Sequence, residues 1–287
     1  MTSAGNGALQ LTALAEPVVD DRGTPRPPAP GTRTAPALRD GPESVADRLA
    51  DVLVRRLARG RGGTVTWLNH YSAMIAMKAG VPLDRFDYLG LDGIFLCRLL
   101  GLDATDYRTS ADLVLPRLLE RAPRLRIALI GSTPTKLRLV ADKIVNDYGH
   151  EIALLRDGYE GLPDPRSLQA ELHAAGVQVV ILGLGTPLQD SYALDLSRQG
   201  LLVATCGGWL DQFSGEVAYY PSWAYPLKLN WLVRLVKEPH RLWRRYTVHA
   251  VRAVRSRRPL VDYVTGLGGR PLSAAAPTPS WHMASVG

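Results

Sequence analysis

Four stretches of this chain place a polar side chain beside a glycine-bearing turn. Asn69 follows the apolar run Thr64-Val65-Thr66-Trp67-Leu68, and Asp92 sits inside Leu91-Asp92-Gly93-Ile94. Gln189 follows Gly183-Leu184-Gly185-Thr186-Pro187, and Asp211 follows Gly207-Gly208. A carboxylate in such a turn either accepts a proton from a substrate hydroxyl as a general base or hydrogen-bonds its own turn. Side-chain amides offer a donor and an acceptor at once, which suits a ligand rich in hydroxyls. Backbone amides at glycine turns and helix N-termini suit phosphate, while the same glycines are also explained by positive φ or close packing. Asp211 binds the acceptor, orients an arginine or caps a helix.

Other chemistries find little support. The sequence contains no Asp-x-Asp and no His, Cys or carboxylate cluster at metal-ligand spacing, so no metal or other cofactor is expected. Neither glycine turn completes G-x-G-x-x-G, which argues against a dinucleotide-dependent dehydrogenase. His70 reads more simply as structural than as a second base. Cys97 and Cys206 suggest no disulfide framework, and the N-terminus lacks the order of a secretory signal, so a cytoplasmic setting is expected. No stretch reaches the ~20 apolar residues of a spanning helix.

Charge is unevenly placed. The chain carries a formal +7, yet residues 228–258 hold ten basic residues against Glu238 alone, a local +9. Arg234, Arg241 and Arg244, with Lys237 and Arg245, fall on one arc at 100° per residue, opposite Leu229, Leu232, Val236, Trp243 and Tyr246. That is an amphipathic basic segment able to meet an anionic membrane surface or, as the rival reading, nucleic acid.

The elements that must position these residues follow from periodicity. Apolar strand-like runs at Thr64–Leu68, Leu125–Ile130, Ile152–Arg156, Gln178–Leu182 and Leu201–Thr205 alternate with helical patterns at Ser72–Ala79, Thr135–Tyr148 and Gln189–Gln199. Alternation of this kind defines the α/β class with a parallel sheet, and in such sheets ligands bind beyond the carboxyl ends of the strands. Residues 1–42 and 265–287, rich in Pro, Gly, Ala and Thr, read as disordered tails around a body at 43–220 and the basic appendage at 221–264.

Taken together, the blocks resemble the WecG/TagA/CpsF family of glycosyltransferases. Leu91-Asp92-Gly93-Ile94 is similar to its Asp-Gly block, and Arg108-Thr109-Ser110-Ala111-Asp112-Leu113 to its R-x-x-G-x-D-L block, one residue shorter and without the Gly. Gly183–Asp190, Gly207–Gly215, Leu229–Leu235 and Glu238–Tyr246 follow in the family's order. Trp67 stands where the family commonly has Thr. The resemblance implies a Rossmann-like parallel sheet flanked by helices with a basic C-terminal helical appendage. It implies an inverting transferase that moves an N-acetylmannosamine-type or related sugar from a UDP-sugar donor to a polyprenyl-diphosphate-linked acceptor in cell-surface polysaccharide synthesis. The enzyme would work at the inner face of the cell membrane, with no nucleic acid as partner. It further implies Asp92 as the base, with Asn69, Arg108, Gly185, Gln189 and Asp211 on the substrates. Gly158 and Tyr159 would hold the uridine, and Arg234, Arg241 and Arg244 the diphosphates. A catalytically inactive, membrane-associated family member is the alternative.

Overall fold

The computed structural model describes residues 44–160, 162–198, 200–215 and 247–266. Six strands form one parallel sheet in the order β2-β1-β6-β5-β3-β4. They are β1 (Gly63–Leu68), β2 (Tyr88–Leu91), β3 (Arg126–Gly131), β4 (Glu151–Arg156), β5 (Val179–Gly183) and β6 (Leu202–Thr205). The interior strands read as almost unbroken apolar runs because helices cover both faces. Val179, Val180, Ile181 and Leu182 of β5 are fully buried, whereas every residue of edge strand β4 is half-buried.

Helices α1 (Val45–Ala58), α5 (Ala111–Arg121), α6 (Pro134–Tyr148) and α9 (Trp209–Phe213) bury their apolar residues on one face. Helices α2 (His70–Ala79), α3 (Ile94–Leu99), α7 (Pro165–Ala174) and α8 (Leu188–Asp195) bury theirs on the other. A four-residue helix, α4 (Ala104–Tyr107), links α3 to α5. Local sequence sets these boundaries. Ser44 and Asp47 form a capping box at α1, Thr133 caps α6 ahead of Pro134, and Asp164 caps α7 ahead of Pro165; proline at the first helical position loses no hydrogen bond there.

The helices after β1, β3 and β5 start within two residues of the expected positions, and α8 stops at Asp195, four residues short of Gln199. Strand β2 is present where the sequence reading placed only a turn around Asp92.

Two C-terminal helices, α10 (Val248–Arg255) and α11 (Arg257–Thr265), bury Ala253, Leu260 and Val264 in the same core as α2 and α3. The Arg257 Nε–H donates to the Leu99 carbonyl (2.8 Å) and the Tyr263 hydroxyl to the Val81 carbonyl (2.7 Å), while His249 meets Tyr71 edge-on. Arg234, Arg241 and Arg244 lie outside the described residues, as do both tails.

Candidate active site

The polar residues singled out in the sequence gather along the carboxyl edge of the sheet. At β1, Asn69 caps α2: its Oδ1 accepts from the N–H groups of Tyr71 and Ser72, both at 3.0 Å, and Ser72 Oγ answers by accepting from the Asn69 N–H at 2.9 Å. The amide oxygen is therefore committed to the cap, and the NH₂ group is what Asn69 can offer a ligand. His70 is buried, edge-on to Phe95. Thr66 points to the opposite face of β1 from Trp67, as strand alternation requires.

At β2, the Asp92 N–H donates to the Leu68 carbonyl (2.7 Å), which ties its turn to the end of β1. Its carboxylate accepts no hydrogen bond among the described residues, unlike those of Asp103, Asp157 and Asp164, each of which receives backbone N–H groups in its own turn. The Asx arrangement open from the sequence is not the one adopted. Arg108 extends the sheet past β2 by a bridge to Leu91, and it forms no ion pair with Asp112. Burial pushes the Cys97 thiol up to about 11, with the Arg108 guanidinium opposing and the Asp92 carboxylate reinforcing that shift. Asp92 and Arg108 thus act on one small region.

The remaining strands end in glycines packed backbone to backbone. Gly131 (φ 122°) pairs in register with Gly183, and a Cβ on Gly131 would lie 2.4 Å from the Gly183 carbonyl oxygen; no other residue fits. Gly158 lies against Gly131. The amide oxygen of Gln189, 4% exposed, accepts from the Gly185 N–H (3.2 Å) and the Gly207 N–H (3.3 Å), so it braces the turns after β5 and β6 against each other. Beyond β4, Asp157 Oδ1 holds the turn that presents Tyr159, which is 76% exposed.

Three further groups stand out in the assembled structure. Asp211, in the first turn of α9, accepts from Ser132 Oγ (2.7 Å) and Lys136 Nζ (2.9 Å), and α9 has no side-chain cap, so the capping reading of Asp211 does not hold. Asp190, fully buried, accepts from Thr66 Oγ1 (2.8 Å), which also contacts Thr205 Oγ1 (2.9 Å). Burial raises the Asp190 pKa, against hydrogen bonds from Thr66 and Thr186. Finally, Trp67 Nε1, Arg108 Nε, Thr109 Oγ1 and Ser110 Oγ are buried without partners, four of the five such atoms among the described residues. A buried polar atom left unpaired costs ~1–3 kcal/mol, so a cluster of them asks for an explanation. Among the described residues no group of three or more His, Cys, Asp or Glu is placed to hold a metal ion.

Fold and edge together define a parallel α/β protein whose unpaired carboxylate, unpaired guanidinium, amides and glycine turns share one rim, the region where such sheets bind ligands. Residues 43–259 match the model of the glycosyl transferase WecG/TagA/CpsF family, and the chain belongs to that family. It is a glycosyltransferase. A similar protein is the UDP-Gal:alpha-D-GlcNAc-diphosphoundecaprenol beta-1,4-galactosyltransferase of Shigella boydii, 28% identical over 189 residues that cover 62% of this chain and 78% of that protein.

Proposed function

We propose that this glycosyltransferase moves a hexose from a UDP-sugar to a saccharide carried on a polyprenyl diphosphate, with Asp92 as the general base. The reading is carried by the unpartnered Asp92 carboxylate, which lies beside the Asn69 cap and near the unpaired Arg108 guanidinium at the carboxyl edge. The relative's name supports the donor nucleotide and the lipid-diphosphate acceptor. The donor sugar is of the N-acetylmannosamine type or a related hexose, among which galactose is the sugar that relative transfers.

The sheet gives the donor a direction. Tyr159 lies beyond β4 at one end of the carboxyl edge and Asp92 beyond β2 at the other. The uridine stacks on Tyr159 beside Gly158, and the diphosphate lies over the Gly185 and Gly207 turns that Gln189 braces. The sugar then faces Asn69, Arg108 and Asp92. Asp92 takes the proton of the acceptor hydroxyl as its oxygen attacks the anomeric carbon opposite the diphosphate. The carbon–oxygen bond to phosphate breaks, UDP departs, and the configuration inverts. Positive charge on Arg108 and on the C-terminal arginines Arg234, Arg241 and Arg244 offsets charge growing on the leaving group. Asp211, held by Ser132 and Lys136, fixes α9 against α6 beside the diphosphate. The acceptor is reached at the inner face of the membrane, where the basic C-terminal segment meets anionic lipid.

The test is transfer itself: purified protein with UDP-galactose, UDP-N-acetylmannosamine, UDP-N-acetylglucosamine and UDP-glucose, each against a short-chain polyprenyl-diphosphate-N-acetylglucosamine, with the product read by mass. One donor should yield a disaccharide, and Asp92→Asn should lower that rate by ~10²–10⁴-fold with the fold unchanged. Full activity of Asp92→Asn would remove Asp92 as the base.

A further inference from the structure

The fifth unpartnered buried atom, Asp190 Oδ2, belongs to a group on the opposite face of β1 from Trp67, the face to which Thr66 points. Asp190 is 0% exposed, and among the described residues it takes part in no ion pair. A buried carboxyl left half-paired costs stability, so Asp190 is explained by what it holds together rather than by a gain in stability. What it holds is a chain of hydroxyls. Thr66 Oγ1 gives its single proton to Asp190 Oδ1 (2.8 Å), so in the 2.9 Å contact between Thr66 and Thr205 the Thr205 hydroxyl is the donor.

The chain of hydroxyls crosses the sheet where the backbone ladder stops. Registered pairing of β1 with β6 runs from Gly63–Leu202 to Val65–Ala204, while β1 stays paired with β2 up to Leu68–Leu91 and β5 with β6 up to Leu182–Thr205. Past Val65 and Ala204 the carboxyl edge is therefore two halves. One half, β2 with β1, carries Asp92 and Asn69. The other, beginning with β6 and β5, carries the Gly207 and Gly185 turns that Gln189, the chain neighbour of Asp190, braces. Thr66 and Thr205 are the first residues beyond the last registered pair, and Asp190 fastens them to the start of α8.

We infer that Asp190 is a positioning residue for sugar transfer: through Thr66 and Thr205 it fixes the separation between the half that carries the base and the half that carries the phosphate turns. The inference rests on the proposed UDP-sugar reading, in which UDP lies on one half and the acceptor hydroxyl loses its proton on the other. Attack at the anomeric carbon needs the reacting atoms ~3–3.5 Å apart, and a displacement of about 1 Å can cost 10²-fold in rate. Loosening the bridge therefore slows turnover and leaves in place the binding of UDP, which one half provides.

Kinetics and binding on the full-length chain, well below each Tm, check this with Asp190→Ala, Asp190→Asn and Thr66→Val beside the wild type. With the donor that the wild type uses, kcat should fall ~10–100-fold in Asp190→Ala and in Thr66→Val, while the Kd for UDP stays within about twofold. The double variant Asp190→Ala with Thr66→Val should be no slower than the slower single one, because both remove the same linkage. Asp190→Asn keeps an oxygen that accepts from Thr66 and should return kcat to within about fivefold of wild type. If Asp190→Ala does not fold, Thr66→Val decides. A lower Tm with unchanged kcat in the folded variants would overturn the inference and leave the bridge a structural contact. Asp190→Asn as slow as Asp190→Ala would overturn it too, since turnover would be lost with the bridge kept. So would a rise in the UDP Kd as large as the fall in kcat, because the bridge would then shape the phosphate turns alone. Should the wild type bind UDP but transfer no sugar, the proposed function fails and takes the inference with it, whereas transfer by the wild type with equal turnover in the variants removes the inference alone.

Discussion

Gly90 shows how little room the residues around Asp92 leave one another. It registers against Trp67 across β1 and β2, and a Cβ there would lie 2.2 Å from Trp67 Cδ1 and 2.3 Å from Thr109 Oγ1. Neither neighbour is the tip of a flexible chain, so a methyl group must move an indole ring or the start of α5. Gly90→Ala should cost ~1–3 kcal/mol of overpacking, read as a lower urea midpoint at constant m-value. Stability within ~0.5 kcal/mol of wild type would mean that the two side chains yield freely. At this scale the sequence is only partly informative. Asp92, Asn69 and Gln189 stand out because each adjoins a strand end and a turn in the chain itself. Asp190 with Thr66, and Asp211 with Lys136, are 124 and 75 residues apart, and no local pattern reports a contact that exists only once the sheet is assembled. Gln189 illustrates the same limit: its type suggested a ligand contact, while its surroundings spend its oxygen on two turns.

Elements are more legible than pairs, because periodicity and caps are local. Five of the six strands follow from apolar runs bounded by Gly, Pro or Asp. Strand β2 does not, since Tyr88–Leu91 is four residues long and flanked by an irregular apolar stretch that suits a helix core equally well. Helix α1 carries a complete capping signal in Ser44 and Asp47, and the same Asp47 clamps α1 to α5. It receives the Ser44 hydroxyl and pairs with Arg117 at 2.8 Å and with Arg121, which also reaches Asp51 at 2.8 Å. Burial alone would raise the Asp47 carboxyl, but the Ser44 hydrogen bond and the two arginines bring it to about 2. A depressed carboxyl stabilises the fold above its unfolded pKa, near 3.9, and the contribution fades as the pH falls from there toward the folded value. With solvent screening the clamp contributes ~1 kcal/mol. Asp47→Asn should lose about that much at pH 7, and its deficit against the wild type should close between about pH 4 and pH 2 as the wild type loses the same contribution. Parallel acid titrations of urea midpoints check this, and curves of identical shape would show that Asp47 makes no net contribution.

At the scale of the whole molecule, the question is how an enzyme with the proposed lipid-linked acceptor meets its substrate. Among the described residues no helix is long and apolar enough to cross a membrane. The C-terminal helices α10 and α11 instead pack beside α2, with Ala253, Leu260 and Val264 in its core, Arg257 bonded to Leu99 of α3 and Tyr263 to Val81 just after α2, and they turn a different set of groups outward. Val251 is 52% and Val254 54% exposed, and Arg252, Arg255 and Arg258 are exposed around them. Exposed valines among arginines suit the interface of an anionic bilayer, where the apolar groups enter the headgroup boundary and each cation adds ~1 kcal/mol near the surface. Because α10 rests on α2, whose N-terminal residue follows the Asn69 cap, a membrane at α10 would hold a fixed relation to the carboxyl edge. Val251→Asp with Val254→Asp removes two apolar groups and adds two charges of the wrong sign, so partitioning onto vesicles containing a third phosphatidylglycerol should drop by at least about tenfold. Tm should be unchanged, since both side chains lie outside the core. Salt should weaken the wild-type interaction, and neutral phosphatidylcholine vesicles should bind poorly. Undiminished partitioning of the variant would shift membrane contact away from α10, and tighter binding of the wild type to duplex DNA than to anionic vesicles at equal salt would assign the basic segment to nucleic acid instead.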